Sequence, residues 1–180
     1  MTLILRSLGA PDQEASPSSF DRQAQARFLL HKLAVRRGEK ILVHGQADAA
    51  IVAQLAASVG NSGCVTLLQE STDGAVTPLG FGRETPQVVM MQAGPTQDAQ
   101  EYDAVVITPH TLSAPSEAYL DAAWRRVRKG GRVMLALPQG DEFTAQLRQL
   151  VTEAGRTGFA SRYRRCCDKH CVWIGVKYSR

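Results

Sequence analysis

The residues best suited to chemistry in this chain stand just beyond apolar runs. "YDAVVITPHT" ends a run at 102–109 with His110, whose imidazole titrates near neutral pH and suits a general base; a surface loop histidine would look the same. "ILVHGQADAA", 41–50, passes from a short apolar run through a glycine turn at Gly45 into an alanine-rich stretch. That is the shape of a strand feeding a nucleotide-binding loop, with one glycine where such loops carry two or three. A fuller Gly-x-Gly-x-x-Gly pattern is absent, which counts against a nicotinamide-dinucleotide dehydrogenase. Asp48 either offers a carboxylate to a ligand or caps the following helix.

Four cysteines complete the reactive inventory: Cys64, Cys166, Cys167 and Cys171. "RCCDKHC" with His170 invites a zinc reading, but four ligands on one tight hairpin crowd each other and lack paired Cys-x-x-Cys spacing. No metal is expected. With a two-residue turn at Asp168 and Lys169, Cys166 and Cys171 face each other across the hairpin. They can form a cross-strand disulfide under oxidising conditions and remain thiols in a reducing cytosol.

The elements that must position these groups follow from periodicity. "APDQEASPSS", 10–19, reads as a polar linker, so residues 1–19 form an arm and 20–180 the folded domain. A helix is expected over 21–36, with Phe20, Ala24, Phe28, Leu29, Leu30 and Leu33 as its apolar stripe and Gly38 as its breaker. Then come a strand at 41–44, a helix at 47–59, strands at 65–68, 86–91 and 102–109, and a helix at 116–129 stopped by "KGG". A strand at 132–137 and a helix at 141–154, ending near Gly155, complete the alternation. "STDGAVTPLGFG", 71–82, is too rich in Gly and Pro for a good helix. "FASRYRRCC" and "HCVWIGVKY" form a closing hairpin. Near-continuous apolar strands are buried on both faces, as in a parallel sheet, and their alternation with helices indicates a doubly wound α/β fold.

Composition narrows the function classes. With 180 residues and 44% hydrophobic content the chain suits one domain with a substantial core. No apolar run approaches the roughly 18 residues that cross a bilayer, so a cytoplasmic protein is expected. "MTLILRSLGA" lacks a signal-peptide layout, although its lack of early acids leaves a weak organelle-targeting reading. The net charge of +4 is uneven: 121–180 carries 13 Lys and Arg against 5 acids, whereas 1–120 carries 8 against 12. The basic half either contacts RNA or an acidic protein partner, or consists of solvated faces; Arg162, Arg164 and Arg165 would also keep an edge strand soluble.

Taken in order, these stretches resemble the class I S-adenosylmethionine-dependent methyltransferases. The likeness rests on "LAVRRGEKILVHGQADAAIVAQLAASVGNSGCVTLLQES", "YDAVVITPHTL", "LDAAWRRVRKGGRVMLALP" and "EAGRTGF" before the hairpin. It implies a Rossmann-like, seven-stranded, mostly parallel sheet with an antiparallel C-terminal hairpin, and S-adenosylmethionine as cofactor at the strands' carboxyl ends. On that likeness, His44, Gly45, Gln46 and Asp48 stand in the cofactor loop. Gln69 and Glu70 stand where an acid meets the ribose, Gln92 or Asp98 near the adenine, and His110, Pro138 and Gln139 at the substrate mouth. The motif is degenerate. His44 replaces an acid that would face the methionine ammonium, and Gln46 and Asp48 add side chains to a glycine-rich loop. Two functions follow: a methyltransferase of unnamed substrate, or a non-catalytic pseudo-methyltransferase kept as a binding or assembly module.

Overall fold

The computed structural model describes residues 19–45, 49–69, 87–92, 101–108, 116–137, 141–167 and 170–178. In chain order the elements are α1 (Ser19–Leu33), β1 (Lys40–Gly45), α2 (Ala49–Val59), β2 (Cys64–Gln69), β3 (Val88–Gln92), β4 (Tyr102–Thr108), α3 (Ser116–Arg126), β5 (Val127–Leu137), α4 (Asp141–Thr157), β6 (Phe159–Cys167) and β7 (His170–Lys177). They build one seven-stranded sheet of order β3-β2-β1-β4-β5-β7-β6. The first five strands are mutually parallel, and β7 runs antiparallel to both β5 and β6.

Strand alternation sorts the apolar residues into two cores. Ile41 and Val43 of β1 face α1 and α2, where they pack with Leu29, Leu33, Val52 and Leu55. Leu42 faces the other way, in the core that contains Leu120, Leu147, Leu150 and Trp173 of α3, α4 and β7. A strand apolar at every position therefore needs a helical layer on each face. Each fully buried Leu or Ile contributes about 2 kcal/mol of transfer free energy.

The helix ends depart from the sequence expectation in three places. Helix α1 stops at Leu33, three residues short, because Ala34 adopts a left-handed conformation (φ 55°) and returns its N–H to the Leu30 carbonyl at 2.9 Å. Gly38 (φ 83°) instead shapes the turn into β1 and donates to Val59 O. Helix α3 ends at Arg126 rather than Lys129, since Val127 joins the sheet beside Tyr102. Lys177 caps it, its ammonium 2.6 Å from Trp124 O and 2.8 Å from Val127 O. "KGG" is thus an irregularity inside β5, between pairs 102/127 and 104/132. Helix α4 continues through Gly155 to Thr157, and Gly158 (φ 114°) ends it. A side chain at Gly158 would strike the Trp124 ring.

The amino ends of the strands are held by charge. Glu39 and Arg132, each side chain about 10% exposed, form an ion pair of 2.5 Å. Arg132 also donates to Ala34 O at 3.0 Å, and the same Glu39 oxygen accepts the Arg36 amide at 2.9 Å. The left-handed turn at Ala34 thus presents a carbonyl to the guanidinium. Alongside, Asp103 accepts the Lys40 amide at 2.8 Å and pairs with Arg128 at 2.6 Å. Burial raises the Asp103 pKa, but the Lys40 amide and the Arg128 guanidinium outweigh it and hold the carboxyl below its ordinary value.

Candidate functional site

In open α/β sheets ligands settle outside the strands' carboxyl ends, where the strand order reverses. Here that point lies between β1 and β4, because the chain builds β1, β2 and β3 outward in one direction and then returns to β4. The register places four residues level across it. Gln92 pairs with Gln69, Leu68 pairs with His44 immediately before Gly45, and Gly45 pairs with Thr108. Two of these, Gly45 and Thr108, form the floor of the reversal.

Gly45 has φ 100°, and a Cβ there would sit 2.8 Å from Thr108 O. No other residue type fits without strain or displacement of β4. The apolar run Ile41, Leu42, Val43 drives β1 into the sheet centre, and glycine lets the chain leave abruptly at its tip. His44 is buried, only 7% exposed, and its ring lies against Tyr119 of α3 at 5.2 Å between centroids. As an even-numbered β1 residue it faces the α3–α4 layer together with Leu42.

Several sequence-singled residues lie outside the described residues: Gln46, Asp48, Glu70, Asp98, His110, Pro138 and Gln139. Of the others, the strands bring Gly45, Gln69 and Gln92 to one level, with His44 one step below. Sequence reading missed the two partners that define this geometry. Thr108 ends the same apolar run that points to His110, and Tyr119 lies within the expected helix 116–129 with no local signal for its contact with His44. A groove of about 450 Å³ opens elsewhere, between α1 and α2, lined by Arg27, Leu30, His31, Ala34, Val35, Gln54 and Ser58.

The hairpin brings further reactive groups to the same sheet edge. Leu137, the last residue of β5, pairs with Cys171, which pairs with and is disulfide-bonded to Cys166. Cys64 is a free thiol. Cys167 and His170 form the next cross-strand pair toward the turn.

No family model matches the sequence, and no curated protein matches it. Solved structures do match in fold. A putative methyltransferase from Pseudomonas syringae is 15% identical, with 88% of this chain and 99% of that one covered, at a TM-score of 0.68. Aeropyrum pernix fibrillarin, solved with natively bound S-adenosyl-L-methionine, is 15% identical over 86% of this chain and 74% of its own, at 0.67. This is the class I methyltransferase fold. TrmN from Thermus thermophilus shares it at 22% identity and a TM-score of 0.63, and the match spans 48% of that longer chain. Within the class I methyltransferase fold the Gly45 turn meets the backbone requirement for a close ligand. His44, neutral or cationic, brings no negative charge to the end of β1. Among the four level residues none is an acid.

No helix among the described residues is long and apolar enough to cross a membrane.

Proposed function

We propose that this chain is a class I methyltransferase domain that takes S-adenosylmethionine at the β1–β4 reversal, with weak affinity. The observation that carries the reading is Gly45: a positive φ and a 2.8 Å approach to Thr108 O, at the strand-order reversal where open α/β sheets take their ligands. When bound, the cofactor supplies a methyl group already activated on a sulfonium. The protein's own work is then alignment of the acceptor and, for a protonated acceptor, proton removal. Gly45 admits the ligand close to the backbone. Gln69 and Glu70 are the proposed ribose contacts, and Gln92 the proposed adenine neighbour. Gln46 and Asp48 are proposed for the methionine end, and His110 as the base. Loss of the β1 acid removes a charge-assisted contact worth about 1.5–3 kcal/mol, roughly one to two decades in affinity.

A second reading, a non-catalytic binding module, is favoured by His44. Its ring is packed on Tyr119, as a core side chain would be. Arg162, Arg164 and Arg165 are exposed on β6, at the open sheet edge, and would meet RNA or an acidic partner.

Isothermal titration with S-adenosylmethionine and its demethylated product separates the two. The enzyme reading expects heat at micromolar to sub-millimolar ligand. Absence of heat and of any thermal shift at millimolar ligand would leave the module. RNA filter binding at graded salt tests the basic edge, since phosphate contacts require affinity to fall with salt and to weaken in an Arg164→Ala/Arg165→Ala variant.

A further inference from the structure

We propose that Cys166–Cys171 is a reversible thiol–disulfide exchange site, opened by attack of a small thiol of the glutathione type on the Cys166 sulfur. The two sulfurs differ in access. Cys166 is exposed, whereas Cys171 is 1% exposed. Incoming thiolate therefore meets Cys166 first. The two also differ as leaving groups. Cys171 Sγ lies 3.7 Å from the hydroxyl of Thr144, the fourth residue of α4. A thiolate released there accepts the Thr144 hydrogen bond beside the first turn of a 17-residue helix, whose amide dipoles favour negative charge.

The exchange balances in two steps. A thiolate forms a bond to Cys166 Sγ as the Cys166–Cys171 bond breaks, and the electron pair leaves on Cys171 Sγ. A second thiolate then attacks the mixed disulfide at the small molecule's sulfur, releasing oxidised small-molecule disulfide and Cys166 thiolate, which takes a proton from water. Two electrons pass from two small thiols to the protein disulfide, and the reverse sequence restores it.

The position gives the exchange a consequence. Cys171 is level with Leu137 at the carboxyl end of β5, and β5 adjoins β4, whose Thr108 floors the reversal. The disulfide lies two strands from Thr108, about 10 Å away at ordinary strand spacing. Opening it removes the covalent tie between β6 and β7 on the same edge as the proposed ligand site. The exchange itself stands whether or not a cofactor binds.

The test uses the full chain in glutathione buffers from reduced to oxidised under native conditions, followed by acid quenching, unfolding, alkylation of the freed thiols and peptide mass mapping. Cys166 and Cys171 should become alkylatable together as reduced glutathione comes into excess, and close again in oxidised buffer. Cys171→Ser should collect one glutathione on Cys166, and Cys166→Ser should leave Cys171 without adduct. Thr144→Val should slow opening roughly threefold by making Cys171 a poorer leaving thiol. Brief quenching of the wild-type reaction, which should trap the adduct on Cys166, keeps the site assignment testable if either serine variant misfolds. A disulfide that persists under excess reduced glutathione until the chain unfolds would overturn the proposal. So would adducts confined to Cys64 or Cys167.

Discussion

The two edges of the sheet are built on different principles. At the amino edge, Glu39, Asp103, Arg128 and Arg132 lock α1, β1, β4 and β5 together through ion pairs and charge-assisted hydrogen bonds. At the carboxyl edge the level row is Gln92, Gln69, Gly45 and Thr108, without a carboxylate. There the order comes from a backbone turn, an aromatic contact beneath it and a covalent bond in the hairpin. Ion pairs are concentrated at the amino edge. The carboxyl edge, where the ligand site is proposed, relies on glycine, which lets another molecule approach main chain closely.

The largest effect should come from breaking the amino-edge clamp. Arg132→Met leaves Glu39 buried without its main partner and should cost about 3–5 kcal/mol in urea unfolding. Adding Glu39→Leu should recover much of that loss, because the pair's desolvation cost disappears with it. If the double variant is no better than the single, the buried-charge account of this edge is wrong.

At the carboxyl edge, Gly45→Ala should cost about 2–3 kcal/mol through positive φ and the collision with Thr108 O. It should also abolish whatever heat S-adenosylmethionine gives in titration. A stable variant with unchanged binding would remove Gly45 from the site.

Asp103→Asn should cost about 1 kcal/mol, since the pair is partly exposed and the amide retains the Lys40 hydrogen bond. The pH dependence sharpens the contrast. A carboxyl with lowered folded pKa contributes stability that is complete above its unfolded value and is lost as pH falls through the folded one. The wild-type advantage over Asp103→Asn should therefore be flat at neutral pH and disappear in acid below the ordinary carboxylate range. An advantage that grows in acid would contradict that sign.

The smallest effect is a gain. Ala34→Gly should stabilise by about 0.5–1 kcal/mol, because left-handed φ costs alanine more than the added unfolded-state freedom of glycine. Equilibrium unfolding at neutral pH is sensitive enough to read it.

Much of the architecture was legible along the chain. The apolar runs of β1, β4 and β5 announced burial on both faces, and the terminal hairpin was readable from its symmetric strands about Asp168 and Lys169. Helix ends were less legible. Glycine spacing pointed to Gly38 and Gly155, whereas the ends were set by Ala34 and Gly158. In both cases a tertiary partner decided: the Arg132 guanidinium awaiting a carbonyl, and the Trp124 ring that leaves no room for a side chain. The site was readable as a list of residues near Gly45, but the Thr108 and Tyr119 contacts are separated from it by more than 60 positions.

By itself, the sequence determined the alternation of elements, the two-sided burial of the strands and the opposition of Cys166 and Cys171, because these follow from local periodicity and short-range pairing. Only the tertiary structure decided that Glu39 meets Arg132, that His44 lies on Tyr119, and that Cys171 rests against Thr144. Each joins segments brought together by the strand order β1-β4-β5-β7, and sheet order is set by the packing of the whole chain rather than by any one segment.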